Sequence, residues 1–331
     1  MTFVYRAKTI YHLMLVLLLL DRTNINTLYI DSKELFHLKN KLIQLGFFSK
    51  VFLENNENEN KLFRYFYTFT NAFFYQYFNW LYTKDRVICT SQHNIRGDFF
   101  KDFLRSKHVI LLEDGYSSYK EFPDGIQNSL YPDLPKDSIF KFMLNGYFLN
   151  IYNKNIIRFI YTSPETLKSE IPRVYNKIKT RINKLSIISC IDKMPYEYKN
   201  NLKLLFFDKS NLNFNNDRSI VLLTQPLLED GKCSKEEVLK VISLFDNFLL
   251  DYHKKGFEIF IKQHPRENNY LYTNLISKYR IIEIDKQFPF ELLSLFNMEF
   301  DIGVTYYSTA VKSEIFKEKI ILRNNLDVTK R

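Results

Sequence analysis

The chain has 331 residues, with 47 Lys+Arg against 37 Asp+Glu and a formal charge of +10. Its 46% hydrophobic and 25% charged content suits a folded protein with material for two domains, which excludes a disordered chain. Aromatic residues reach 17% while alanine is confined to Ala7, Ala72 and Ala310, a skew that reads first as an AT-rich coding sequence and second as function.

A short strand is predicted at residues 3–5 and a helix at 9–20. The apolar run 13–20 falls well short of the ~20 residues that cross a bilayer. Asp21-Arg22-Thr23-Asn24 follows it where a signal peptide would carry small residues, so a buried first helix and a cytoplasmic chain are expected. Strands are then predicted at 27–30, 51–53, 86–90, 108–112 and 158–161, with helices at 33–45 and 61–81 and a low-complexity polar loop at 54–60. Residues 164–218 are rich in Lys and Asn and read as a passage between domains 1–163 and 219–331. Beyond it, strands are predicted at 219–223, 257–262, 281–284 and 301–305, and helices at 234–253 and 289–295. Strand–helix alternation of this kind predicts an α/β fold with mostly parallel sheets. Cys89, Cys190 and Cys233 are widely spaced and form no C-x-x-C pair, which argues against a zinc ribbon or a disulfide framework and for a reducing compartment.

Several polar groups stand at the carboxyl ends of these strands, where parallel α/β sheets bind ligands. Lys262-Gln263-His264-Pro265-Arg266 follows one of them: the proline fixes the exit of the chain beside the imidazole, and the flanking cations suit a phosphate. His264 reads equally as a ligand contact or as a strand-end cap. Glu113-Asp114-Gly115 follows the strand at 108–112 and reads as an acid pair in a crevice or as a solvated turn. A second E-D-G, Glu229-Asp230-Gly231, follows Thr224-Gln225-Pro226. It is either a ligand site or the approach to a helix whose Ser234 and Glu237 fit a capping box. Ser308 and Thr309 stand before a late helix as an anion site or as plain caps, and Glu291 in the first turn of another suits a ribose or the helix dipole. No G-x-G-x-x-G, G-K-[ST], G-x-S-x-G or H-E-x-x-H motif occurs, and no D-x-D lies at a strand end.

In this order, the strand ending in E-D-G, Q-P-L-x-E-D, K-x-H-P-R and the late S-T pair resemble the bacterial sialyltransferases of glycosyltransferase family 52. The opening strand followed by T-I-Y-H-L is similar to the start of that family. The resemblance implies a GT-B architecture, two Rossmann-like domains with the active site in the cleft between them. It also implies inverting, metal-independent transfer from CMP-sialic acid, with no further cofactor, to a terminal galactose of lipooligosaccharide or capsule, commonly α2,3. Some members use another nucleotide-sugar donor, for example in glucosyl transfer.

By motif, His264 would act as acid or electrostatic stabiliser at the CMP phosphate, positioned by Pro265. Ser308 and Thr309 would bind that phosphate and Glu291 the ribose. Glu113, Gly115, Lys262 and Arg266 would be further ligand contacts. Asp114 is the first candidate for the base, with Glu229 and Asp230 as rivals; Leu227 stands where relatives can carry an acid. The resemblance leaves a homodimer open. The basic charge suggests peripheral contact with an anionic inner membrane. A nucleic-acid-binding protein is the rival class, set against charges that are scattered and form no recognised binding motif.

Overall fold

The computed structural model describes residues 1–54, 85–91, 94–95, 99–114, 118–119, 147–148, 155–206, 218–231, 233–296, 298–306 and 308–322. The helix expected at 61–81, most of the polar loop at 54–60 and Gly115 lie outside them, as does the side chain of Thr309. The chain divides into two compact units, Met1–Lys193 and Met194–Arg331.

The N-terminal unit is built on β1 (Thr2–Ala7), β2 (Ile25–Ile30), β3 (Lys50–Leu53), β4 (Arg86–Thr90), β6 (Ser106–Leu112), β8 (Ile156–Tyr161) and β9 (Ile182–Lys184). These form one seven-stranded sheet in the order β3-β2-β1-β4-β6-β8-β9, and every pairing is parallel. The short β5 (Asn94–Ile95) and β7 (Tyr147–Phe148) pair antiparallel by themselves. Helix α1 (Ile10–Leu19) starts where predicted, at Thr9, whose side-chain oxygen accepts the His12 backbone N–H at 3.2 Å. Residues His12 to Leu18 are all buried, so the apolar run serves as a core helix and needs no membrane. Among the described residues no helix is long and apolar enough to cross one.

Arg6, fully buried on β1, gathers the ends of three strands. Its guanidinium pairs with Asp31 after β2 at 3.0 Å and with Glu54 after β3 at 2.9 Å, while Glu54 also accepts the Phe99 N–H at 3.0 Å.

The stretch expected as a passage is folded for much of its length. Helices Pro164–Glu170 and Pro172–Ile178, strand β9 and helix Ile187–Asp192 belong to the N-terminal unit, and helix Tyr196–Phe206 to the C-terminal one. The Lys- and Asn-rich composition obscures the pattern that folds it. Leu167, Ile171, Val174 and Ile178 recur at helical spacing, and all four join the core beside Phe159.

The C-terminal unit holds a five-stranded parallel sheet, ordered β12-β11-β10-β13-β14. Its strands are β10 (Ser219–Leu223), β11 (Glu258–Lys262), β12 (Ile282–Ile284), β13 (Phe300–Thr305) and β14 (Phe316–Ile321). β10 is buried at every position, as a central strand covered on both faces must be. The long helix Lys235–Lys254 opens on the predicted capping box: Ser234 N–H donates to Glu237 at 2.7 Å, and Glu237 N–H to the Ser234 hydroxyl at 3.3 Å. The helix expected at 289–295 is a 3-10 helix, Phe290–Phe296.

β14 is absent from the sequence reading because F-K-E-K-I-I at a sheet edge has three exposed positions and little apolar signal. Its Phe316 ring stacks on Phe290 at 5.1 Å and lies over Gly303 of β13, where an added Cβ would meet the ring at 2.7 Å. Glycine at 303 is what lets β14 lie there.

Candidate functional site

Both sheets reverse direction beside their first strand. The reversal falls between β1 and β4 in the N-terminal unit and between β10 and β13 in the C-terminal one. Open parallel sheets bind ligands outside the carboxyl ends of the strands at such points.

In the C-terminal unit the ends of β10, β11 and β13 are tied together there. The Thr305 hydroxyl, closing β13, donates to the Leu223 carbonyl of β10 at 2.8 Å and accepts the Ser308 N–H at 2.8 Å. That contact turns the chain so that Ser308 caps the 3-10 helix Thr309–Lys312, its Oγ accepting the Ala310 N–H at 3.3 Å. Thr224, after β10, donates from its N–H to the Lys262 carbonyl at 3.2 Å.

The His264 loop is held from several sides. The His264 backbone N–H donates to Glu267 Oε2 at 2.6 Å, and the Arg266 N–H donates to His264 Nδ1 at 3.2 Å. With Nδ1 accepting, the proton of the neutral ring is assigned to Nε2. Glu267 is buried and accepts also from the Thr224 hydroxyl and, at 3.1 Å, from the Tyr272 hydroxyl. Burial pushes the Glu267 carboxyl above its ordinary range, and the bonds from Thr224, His264 and Tyr272 oppose this. Asp230 grips the Arg266 guanidinium with both oxygens, at 2.5 and 3.4 Å, and Glu229 accepts the Asn268 N–H at 2.9 Å. The second E-D-G therefore braces the outer side of the His264 loop.

Lys262, expected as a ligand contact, is a strap. Its ammonium is buried and donates to the Gln263 carbonyl at 3.1 Å and the Lys286 carbonyl at 2.8 Å. Burial brings its pKa down to about 8, against the upward pull of Glu291, Asp285 and Glu267. Glu291, half-buried in the first turn of the 3-10 helix, is thus an electrostatic neighbour of Lys262. Arg266 is exposed and lies on Asp230.

The first E-D-G divides in role. Glu113, buried after β6, accepts from the hydroxyls of Tyr11 and Tyr119, from the Thr162 N–H at 2.9 Å and from the Thr162 hydroxyl at 2.7 Å. These four donors fill a carboxylate's acceptor sites, so Glu113 anchors the chain after β6. Burial pushes the Tyr119 and Tyr161 hydroxyls up, and the Glu113 charge adds to this.

Asp114, the next residue, has a half-exposed side chain. Its N–H donates to the Ser118 hydroxyl at 2.5 Å, and its Oδ1 lies 2.6 Å from Nε2 of buried His12.

Sequence reasoning missed two of these residues. His12 is the one strongly polar side chain within the buried span of α1, and that isolation was the available signal. Glu267 stands three residues after His264, in a turn where Glu267 N–H donates to the His264 carbonyl at 3.0 Å, and it left no pattern of its own.

Two parallel, doubly wound sheets, each with polar side chains at its carboxyl ends, define an α/β protein of the GT-B class. Three solved structures share that fold over most of this chain. A Photobacterium damselae sialyltransferase GT-B domain has a TM-score of 0.55 and 13% identity, covering 94% of this chain and 87% of that one. A 2,6-sialyltransferase of Photobacterium sp. JT-ISH-224, solved with the donor product CMP and the acceptor substrate lactose, gives 0.57 and 13%, covering 96% and 71%. The α/β-galactoside α-2,3-sialyltransferase of Photobacterium phosphoreum gives 0.51 and 12%, covering 97% and 89%.

The chain belongs to the alpha-2,8-polysialyltransferase (POLYST) family, whose model matches residues 8–313. An uncharacterized protein of Haemophilus influenzae is 27% identical over 222 residues, 66% of this chain; the match spans 62% of that relative's length.

Proposed function

We propose that this protein is an inverting, metal-independent sialyltransferase that uses CMP-sialic acid. The observation that carries the reading is the family match across residues 8–313; the site geometry supports it.

As the bond from the sugar to CMP breaks, charge grows on the phosphate. The Nε2–H of His264, on a loop braced by Glu267, Glu229 and Asp230, is suited to stabilise that charge by donating a hydrogen bond to the phosphate. Ser308, set by Thr305 at the end of β13, and Thr309 beside it are assigned to the same phosphate, Glu291 to the ribose and Pro265 to the loop's exit. Asp114 is assigned as the base that takes the acceptor hydroxyl's proton. Glu229 and Asp230 are engaged by Asn268 and Arg266, while Asp114 is a half-exposed carboxylate held from a buried histidine, which favours it. The base is thus carried by the N-terminal unit and the stabiliser of the leaving group by the C-terminal one. Attack opposite the departing CMP inverts the anomeric centre.

The acceptor we assign is a terminal galactose of a bacterial surface glycan, joined α2,3, with the basic chain working in the cytoplasm at an anionic membrane face. The family's own description favours a second acceptor, a sialic acid that receives the next one through an α2,8 bond.

Thermal-shift measurements with CMP, UMP, GDP and UDP test the donor: only CMP should raise the melting temperature. Product analysis with lactose against an α2,8-linked sialic acid trimer then separates the acceptors. A shift confined to UDP or GDP would remove sialic acid from the reading.

A further inference from the structure

Helix α1 carries an unfavourable residue. Between Ile10 and Leu19, His12 is 2% exposed, and its Nδ1 has no hydrogen-bond partner among the described residues. A leucine there would bury more apolar surface and leave no polar atom unpaired, so stability alone does not explain an imidazole. The one contact that does is Nε2 to Asp114 Oδ1 at 2.6 Å, joining a buried donor to a half-exposed carboxylate.

That asymmetry gives the bond a direction. The His12 ring cannot swing, because α1 is buried around it and starts from the Thr9 cap. Asp114 is on a loop, and its side chain is half-exposed. Its backbone is fixed by the N–H bond to Ser118 and by its neighbour Glu113, whose carboxylate is fully occupied. With Oδ1 held by His12, the plane of the carboxyl is set, and with it the direction of the lone pairs on Oδ2.

We infer that His12 is a positioning residue for the reaction, holding the Asp114 carboxylate in the orientation from which it takes the acceptor proton. The inference rests on the assignment of Asp114 as base.

The test uses the full chain, CMP-sialic acid as donor, and lactose and an α2,8-linked sialic acid trimer as acceptor probes. CMP release gives kcat and KM, and thermal melts monitor folding. His12→Leu should lower kcat by ~30-fold or more with the donor KM within about twofold, a fraction of the ~10²–10⁴-fold that a general base supplies. His12→Gln, whose amide donates from a similar reach, should recover most of that loss, and His12→Asn, too short to reach, should not. In an Asp114→Asn background, His12→Leu should cost nothing further, since both act through one group.

Wild-type kcat in His12→Leu together with a large loss in Asp114→Asn overturns the inference and leaves the base in place. Wild-type kcat in Asp114→Asn overturns the base assignment and the role of His12 with it, as does wild-type protein that releases no CMP with either probe. Should His12→Leu fail to fold, equal rates in His12→Gln and His12→Asn overturn it.

Discussion

Removing the Glu267 carboxylate tests whether the His264 loop is held as the geometry indicates. In Glu267→Ala three buried or half-buried donors lose their acceptor: the hydroxyls of Thr224 and Tyr272 and the backbone N–H of His264. Each donor left unpaired costs ~1–3 kcal/mol, and water entering the vacated space offsets part of it, so a loss of about 3–6 kcal/mol is expected. That is a large share of the ~5–15 kcal/mol that holds a typical domain together. Glu267→Gln should behave differently. Its amide oxygen can take the place of Oε2 and accept from Thr224 and His264, while its NH2 faces the Tyr272 hydroxyl, which can rotate to accept. The loss should then stay within about 1 kcal/mol.

The two forms also differ in pH dependence. Burial raises the Glu267 carboxyl above the ordinary 4.5, so the folded state binds that proton more tightly than the unfolded one does. Its contribution is fully present below the ordinary value and is lost as pH rises through the raised one. Glu267→Gln should remove that decline from the stability curve. Urea unfolding of wild type and both variants from pH 4 to 8 measures this, with kcat measured alongside. A Glu267→Ala protein within 1 kcal/mol of wild type would refute the role of Glu267 as the loop's anchor.

Gly303→Ala drives a methyl group into the Phe316 ring at 2.7 Å and should cost ~1–3 kcal/mol; adding Phe316→Leu should recover part of it, read by thermal melts. His264→Ala should lower kcat by ~10²-fold or more with the fold intact by circular dichroism. Asp230→Asn keeps one acceptor for Arg266 but loses the charge, and should reduce kcat by less than tenfold; a loss as deep as that of Asp114→Asn would move the base to Asp230. Overnight EDTA should leave CMP release unchanged, and a loss restored by Mg²⁺ or Mn²⁺ would refute metal independence.

Strands of uninterrupted apolar residues were the most legible part of the sequence. Ser219 to Leu223 and Arg86 to Thr90 form strands at the predicted limits, because central parallel strands are buried on both faces and read as continuous runs. The cap at Thr9 and the capping box at Ser234 were legible because they are local chemistry. β14 was not, since an edge strand that turns Lys317, Glu318 and Lys319 to solvent looks polar in sequence. Residues 164–193 were hidden in a similar way, their average polarity masking four well-spaced apolar side chains. At the site, motifs located His264 and Asp114 on loops after β11 and β6. What the motifs could not reveal was which neighbours hold those loops, because His12 and Asp114 are 102 residues apart and meet only through the pairing of β1, β4 and β6.

The two loops share one physical solution. A reacting group must be exposed to its substrate yet fixed in direction, and a loop past a strand end has no ladder to fix it. In each unit a glutamate within three residues of the candidate group is buried and engaged: Glu113 beside half-exposed Asp114, and Glu267 beside partly buried His264. A buried carboxylate suits the task because it accepts several charge-assisted bonds at once, from backbone and hydroxyl donors on separate elements. Glu113 ties the chain after β6 to Tyr11 on α1 and Thr162 after β8; Glu267 ties the chain after β11 to Thr224 after β10. The cost of burying each charge is met only when every donor is in place, so the bonds of each set form together. The candidate group then inherits the rigidity of the sheet without being fully buried itself. On this argument Glu113→Ala should lower kcat through Asp114 while leaving CMP affinity unchanged. Alanine leaves the Thr162 backbone N–H without its acceptor, and that N–H cannot rotate to another partner. An equal loss of CMP affinity and kcat would mean that Glu113 is felt by the donor directly, and that the division of labour between the two anchors is wrong.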